Sequence, residues 1–221
     1  MATRLYFSES KAVDITPAFA AFTETDGMLR REMSPNKSLS AMATHTTGQT
    51  ATAANSSQGI RQYISPPMMA QTLTGGTWKG TIRCLESAIN DNVDAVKSQL
   101  RFWDVSAGAY GATSLAALAN YGPVLEFATT LTAKRIADGD TFTTVTVEEG
   151  DRLVLDLGYT NTTIGTSISG SMSFGDDSAT DLGDNETDTA ANNPFIELSV
   201  DILWWTPVPT YVPHLQPQLA Q

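Results

Sequence analysis

The chain predicts an all-β fold: an antiparallel β-sandwich with extended termini and a long loop in its N-terminal half. Three observations carry this. Ser169–Phe174 and Phe195–Ile202 alternate with period two, which sends successive side chains to opposite faces of a sheet. Thr77–Glu86 alternates too, with Trp78, Gly80, Ile82 and Cys84 on one side and Lys79, Thr81, Arg83 and Leu85 on the other. Charged residues make up only 17% of the chain, while Thr, Ser, Ala and Gly abound, which suits strands with a neutral polar outer face. At 221 residues an all-β sandwich is commonly one domain. The expected organisation is a sandwich over 1–205 and a Pro-rich extension over 206–221.

In chain order, Thr3–Phe7 alternates and is the first expected strand. Asp14–Phe22 holds Pro17 and small residues, so it reads as an extended connection anchored by Phe19 and Phe22. Gly27–Met33 is a short strand. Ser34–Gly59 is the lowest-complexity stretch. It is expected as a flexible loop or arm, with one strand at most around Leu39, Ala41 and Ala43. Loops of that length are usually functional or mobile. Arg61–Ile64 and Met68–Leu73 extend on either side of Ser65-Pro66-Pro67, where proline is tolerated at a strand end. Gly75-Gly76 turns into the Thr77–Glu86 strand.

Ile89, Val93, Val96 and Leu100 have helical spacing, so one helical turn near Asn90 is expected before a strand over Gln99–Val105. Gly108–Gly111 is a turn, and Thr113–Ala119 is locally helix-prone. Leu125–Leu131 alternates, and Ala137–Asp140 reads as a turn. Phe142–Val147 and Asp151–Tyr159 flank Glu149-Gly150 and read as a hairpin. Arg152–Leu157 suits a strand buried on at least one face. The tail from Thr206 has four prolines and no periodicity, as an exposed extension or a segment docking on a partner would.

The formal charge of −11 argues against nucleic-acid binding, which needs Lys and Arg against phosphate. Ten of the thirteen bases precede Val105, and Arg152 is the only Lys or Arg from Gly150 onward. This implies either a bipolar surface or a solubilising acidic end. The single Cys84 excludes an internal disulfide and reads as a buried small hydrophobe. The opening MATRLYFSES lacks the apolar core of a secretory signal, and no apolar run is long enough to span a bilayer.

The search for catalytic patterns finds none of the common nucleophile, zinc-protease, phosphate-loop or dinucleotide motifs. His45 and His214 sit in loop-like or Pro-rich contexts and read as solvated. The densest acidic stretch includes Asp176, Asp177, Asp181 and Asp184. Calcium takes oxygen ligands of this kind, although the spacing is not that of an EF-hand. The competing reading is a solvated loop that protects a sheet edge. Trp78, Trp103, Tyr110, Trp204 and Trp205 are candidates for a sugar-stacking platform or for core and interface positions. Trp204 and Trp205 are adjacent, so one strand cannot turn both inward. With Tyr211 and His214 they form the expected interface set.

Several motifs together resemble a family of virion structural proteins of tailed bacteriophages. They are ISPPMMAQTLTGGTWKGTIRCLES, AKRIADGD, EGDRLVLDLG and SMSFGDDSATDLGDNETDTAANNPFIELS, with TRLYF and TPAF near the start. The resemblance implies a jelly-roll-like β-sandwich repeated on the particle, without known catalytic residues, made in the host cytoplasm and carried in the virion; it does not decide between head and tail, and the expected role is a capsid decoration or cement protein. In that role the expected partners are the major capsid protein or other virion proteins, and copies of itself, for which a trimer is the natural arrangement at shell three-fold positions. The alternative class is a tail-associated carbohydrate-binding module, with calcium shaping the acidic loop.

Overall fold

The computed structural model describes residues 2–19, 21–37, 40–50, 56–89, 93–121, 126–161, 167–175, 178–183 and 192–205. The fold is all-β, with no helix among these residues. Fourteen strands are β1 Thr3–Phe7, β2 Leu29–Ser34, β3 Ala43–Thr50, β4 Ser57–Ile64, β5 Gln71–Leu73, β6 Gly76–Glu86, β7 Val93–Asp104, β8 Ala109–Tyr110, β9 Ala116–Tyr121, β10 Thr132–Phe142, β11 Val145–Val147, β12 Arg152–Asn161, β13 Ser167–Phe174 and β14 Phe195–Leu198.

Twelve of them join in the order β3-β13-β6-β14-β1-β2-β4-β12-β7-β8, with β10 on β6 and β9 on β7; β5 and β11 form a separate pair. The long sheet folds on itself at β2. The end of β2 pairs with β1 through Tyr6↔Ser34 and Phe7↔Met33, while its start runs parallel to β4 from Leu29↔Arg61 to Glu32↔Ile64. The sheet is therefore mixed, where antiparallel pairing alone was expected.

Between the layers lies a core that takes Leu5, Phe7, Ile82, Met172 and Leu198 from one side and Ile60, Tyr63, Leu100, Leu155 and Tyr159 from the other. Phe7 stacks on Tyr63 at 4.6 Å between ring centroids, and Phe174 meets Phe7 edge-on and tilts against Tyr63. Cys84 is fully buried here, as its strand context implied, and burial pushes its thiol pKa up.

Several sequence expectations need correction. Within Ser34–Gly59, Ala43–Thr50 is a full strand with continuous register to β13, from Ala43↔Phe174 to Thr50↔Ser167. Its Thr and Gly content conceals a strand that gains its ladder only from a partner more than a hundred residues away. Val93 begins β7 rather than continuing a helical turn, and Asn90 lies outside the described residues. Ala116–Tyr121 is a strand despite its local helix propensity, because β7 supplies its hydrogen bonds. The expected strand over Leu125–Leu131 starts only at Thr132. Ala137–Asp140 stays inside β10, which absorbs it as two bulges with Gly139 at φ 80°. The expected hairpin does not form. The chain does turn at Glu149-Gly150, but β11 pairs with β5 and β12 with β4 and β7.

β12 is buried on both faces. Leu153, Leu155, Leu157 and Tyr159 fill the core. The opposite face is covered by the Asp14–Phe22 connection, so Phe19 and Phe22 anchor outside the sheet rather than in the core. The Phe22 ring lies over Gly59 and Gly158, neighbours on β4 and β12. A Cβ on Gly158 would lie 2.1 Å from the Gln58 carbonyl oxygen and 2.5 Å from Phe22. The carbonyl belongs to the ladder and cannot swing aside. Gly158→Ala is therefore expected to cost about 3 kcal/mol. Urea unfolding measures it, and a loss under 1 kcal/mol would mean that the Gln58 carbonyl does not approach Gly158 this closely.

Candidate functional site

At one end of the second layer, three turns and the last described residues form a rim. Met68 accepts from the Gly150 N–H (2.9 Å) and donates to the Asp151 carbonyl (2.8 Å). The buried Asp151 carboxylate ties the rim together. It accepts from the Val105 N–H (3.1 Å) in the turn after β7 and from the Glu148 N–H (2.9 Å) in the turn before β12. Arg152 adds a second tie, donating to the Ser65 carbonyl (2.9 Å) and to Asp14 (2.7 Å).

The segment after β14 lies along this frame. The Met69 N–H donates to the Leu203 carbonyl (2.9 Å), and the Trp205 N–H to the Pro67 carbonyl (2.8 Å). The Gln71 amide closes on both polar groups of the Leu203 backbone. Backbone bonds hold the segment, so its side chains are free to face outward. Leu203 is 57% exposed, Met69 44%, Val105 43% and Trp205 37%. Trp205, Ile15, Pro67 and Val105 also line a 230 Å³ pocket whose polar wall is Asp14, Glu149 and Arg152.

The expected interface set divides here. Trp204 bridges to Met68 and packs against the core, whereas Trp205 is half-bared on the rim. Tyr211 and His214 lie outside the described residues. The other aromatics do not assemble a platform. Trp78 is in the core, and the Arg101 guanidinium covers the Tyr110 ring at 3.5 Å. Trp103 meets Tyr110 edge-on at 5.1 Å.

Of the four acidic-loop residues, Asp176, Asp177 and Asp184 lie outside the described residues. Asp181 is occupied. Lys37 Nζ lies 2.9 Å from it, and Arg4 bridges it to Glu197, which Lys79 meets in turn at 3.1 Å. Burial raises the Asp181 carboxyl, but the bonds from Lys37 and Arg4 outweigh it and hold the pKa below 3.8. A calcium ion here would have to displace two cations. No three His, Cys, Asp or Glu side chains converge as a metal site among the described residues.

Two buried charge clusters escaped the sequence reading. His45 is not a solvated loop residue. It sits on β3 and donates from Nε2 to Glu9 at 2.5 Å. Glu9 also accepts from the fully buried Arg61 (2.9 Å) and from the Tyr63 hydroxyl (2.8 Å), both on β4. One carboxylate thus joins both layers. The second cluster centres on Asp156, fully buried on β12, which accepts from Arg101 and from Gln62 (2.8 Å). Arg30 donates to Gln62 (2.9 Å), and Tyr110 to the Ala18 carbonyl (2.6 Å). Burial pushes the Asp156 carboxyl up against the pull of Arg101, and pushes Tyr110 up to about 12. Both clusters fasten polypeptide segments to the sheet, and neither opens onto a described pocket.

No family model and no curated protein matches the chain. Among solved structures, a CocE/NonD family hydrolase from Staphylococcus aureus aligns over 90% of this chain and 34% of its own, at 10% identity and a TM-score of 0.27. The chain thus spans about a third of that protein's length, and so distant a likeness transfers neither fold nor activity.

Proposed function

We propose that this chain is a non-enzymatic structural component of a phage particle, a capsid decoration or cement protein that works by covering surface against its neighbours. The particle assignment rests on the motif resemblance. The observation that carries the covering role is the rim. Four large apolar side chains stand exposed on a frame fixed by backbone bonds and a buried carboxylate, where an isolated protein would gain by turning them inward. Interface energy concentrates on Trp and Tyr, and Trp205 is such an anchor. Weak contacts repeated by symmetry on a shell add up to strong attachment without a tight single site.

The test is quantitative mass spectrometry of virions purified from the culture that produces the chain. A decoration role expects copy numbers comparable with the major shell protein. A far smaller number would move the chain to the tail, and its absence from virions would overturn the particle reading.

A further inference from the structure

We propose that the rim pocket receives the charge-free tail of a second copy of this chain. The inference rests on the rim being an interface but not on the particle assignment. The last described residue, Trp205, is itself a wall of the pocket. The sequence that follows, TPVPTYVPHLQPQLAQ, holds sixteen residues and no Asp, Glu, Lys or Arg, in a chain with thirty-seven such residues. A segment without charge and with Val, Tyr, Leu and four prolines gains little from water and much from an apolar surface.

Pro-rich segments dock on aromatic-lined grooves because their extended form is preset and costs little entropy to fix. The pocket offers one aromatic wall, Trp205, with Pro67, Ile15 and Val105 as apolar neighbours. Thr206 and Val208 each precede a proline, a sequence that favours extended backbone. An extended segment of sixteen residues reaches about 50 Å, enough to meet the same pocket on a neighbour. Exchange of tails in this way gives either a reciprocal pair or a closed ring.

The experiment is light scattering on the purified full-length chain, beside Val105→Asp and Tyr211→Ala. Val105 is 43% exposed in a turn, so its replacement leaves the fold intact, and circular dichroism with thermal melting checks that. The full chain is expected as an oligomer well above its 23.6 kDa monomer mass. Val105→Asp should weaken self-association at least tenfold, and Tyr211→Ala should do so from the tail side. A monomeric full-length chain overturns the proposal, since the rim would then await a different partner. An oligomer unaffected by Val105→Asp overturns the pocket assignment. Neither result touches the virion measurement, which decides the particle reading separately.

Discussion

Asp156→Ala is expected to lower stability by about 3–5 kcal/mol. The carboxylate is fully buried and is the counter-charge of Arg101, whose side chain is only 10% exposed. It also orders Gln62, which orders Arg30. Removing it leaves a buried guanidinium with the Tyr110 ring but no counter-charge, and the cost comes from that stranded charge. Thermal unfolding should fall by about 6–20 °C. The double variant Asp156→Ala with Arg101→Met should cost less than the sum of the single changes, because it removes both halves of the pair. A single variant within 1 kcal/mol of the parent protein would show that water reaches this cluster.

Glu9→Ala should cost a similar amount, about 3–5 kcal/mol, because it strands Arg61, which has no exposed surface. The same carboxylate makes the fold sensitive to acid. Burial pushes the Glu9 pKa up, but the His45 hydrogen bond, the Arg61 charge and the Tyr63 hydroxyl prevail and hold it below 4.5. For a carboxyl depressed in the folded state, the stabilisation is whole above the unfolded-state pKa. It is lost as pH falls through the folded value. Asp181 and Glu197 are shifted the same way: burial raises each, and the bonds from Arg4 and its neighbouring lysine more than offset it. The stability these three carboxylates contribute should therefore be whole above about pH 5 and fall away below about pH 4, while Asp156, raised by burial, contributes with the opposite sign. Glu9→Gln should make that drop shallower. Urea midpoints across this range read both effects, and an unchanged slope in Glu9→Gln would remove Glu9 from the acid response.

The strands that were legible in the sequence are those whose pattern is local. Thr3–Phe7 and the strand over Thr77–Glu86 show clear apolar alternation, and the structure adds at most a residue at their ends. The strands that were missed have little local pattern. β3 is a run of Thr, Gly and Gln, and β9 is Ala-rich; each becomes a strand because a distant partner offers a free ladder. Pairing was hidden for the same reason. β11 and β12 adjoin a turn that looks like a hairpin, yet β12 fits between β4 and β7, where both its faces are buried. His45 was misread because a lone histidine in a polar stretch carries no sign of a glutamate thirty-six positions earlier.

By itself the sequence determined the strand grammar, the acidic excess, the single buried thiol and the charge-free tail, all of which are properties of composition and short-range period. It also exposed the separation of bases towards the first half and acids towards the second. Only the tertiary structure decided what that separation does. Lys37 meets Asp181, Arg4 meets Asp181 and Glu197, Lys79 meets Glu197 and Arg101 meets Asp156, so among the described residues these opposite charges from the two halves pair with one another. The physical reason is range: side-chain alternation is set by the next residue but one, whereas an ion pair is set by which strands lie side by side.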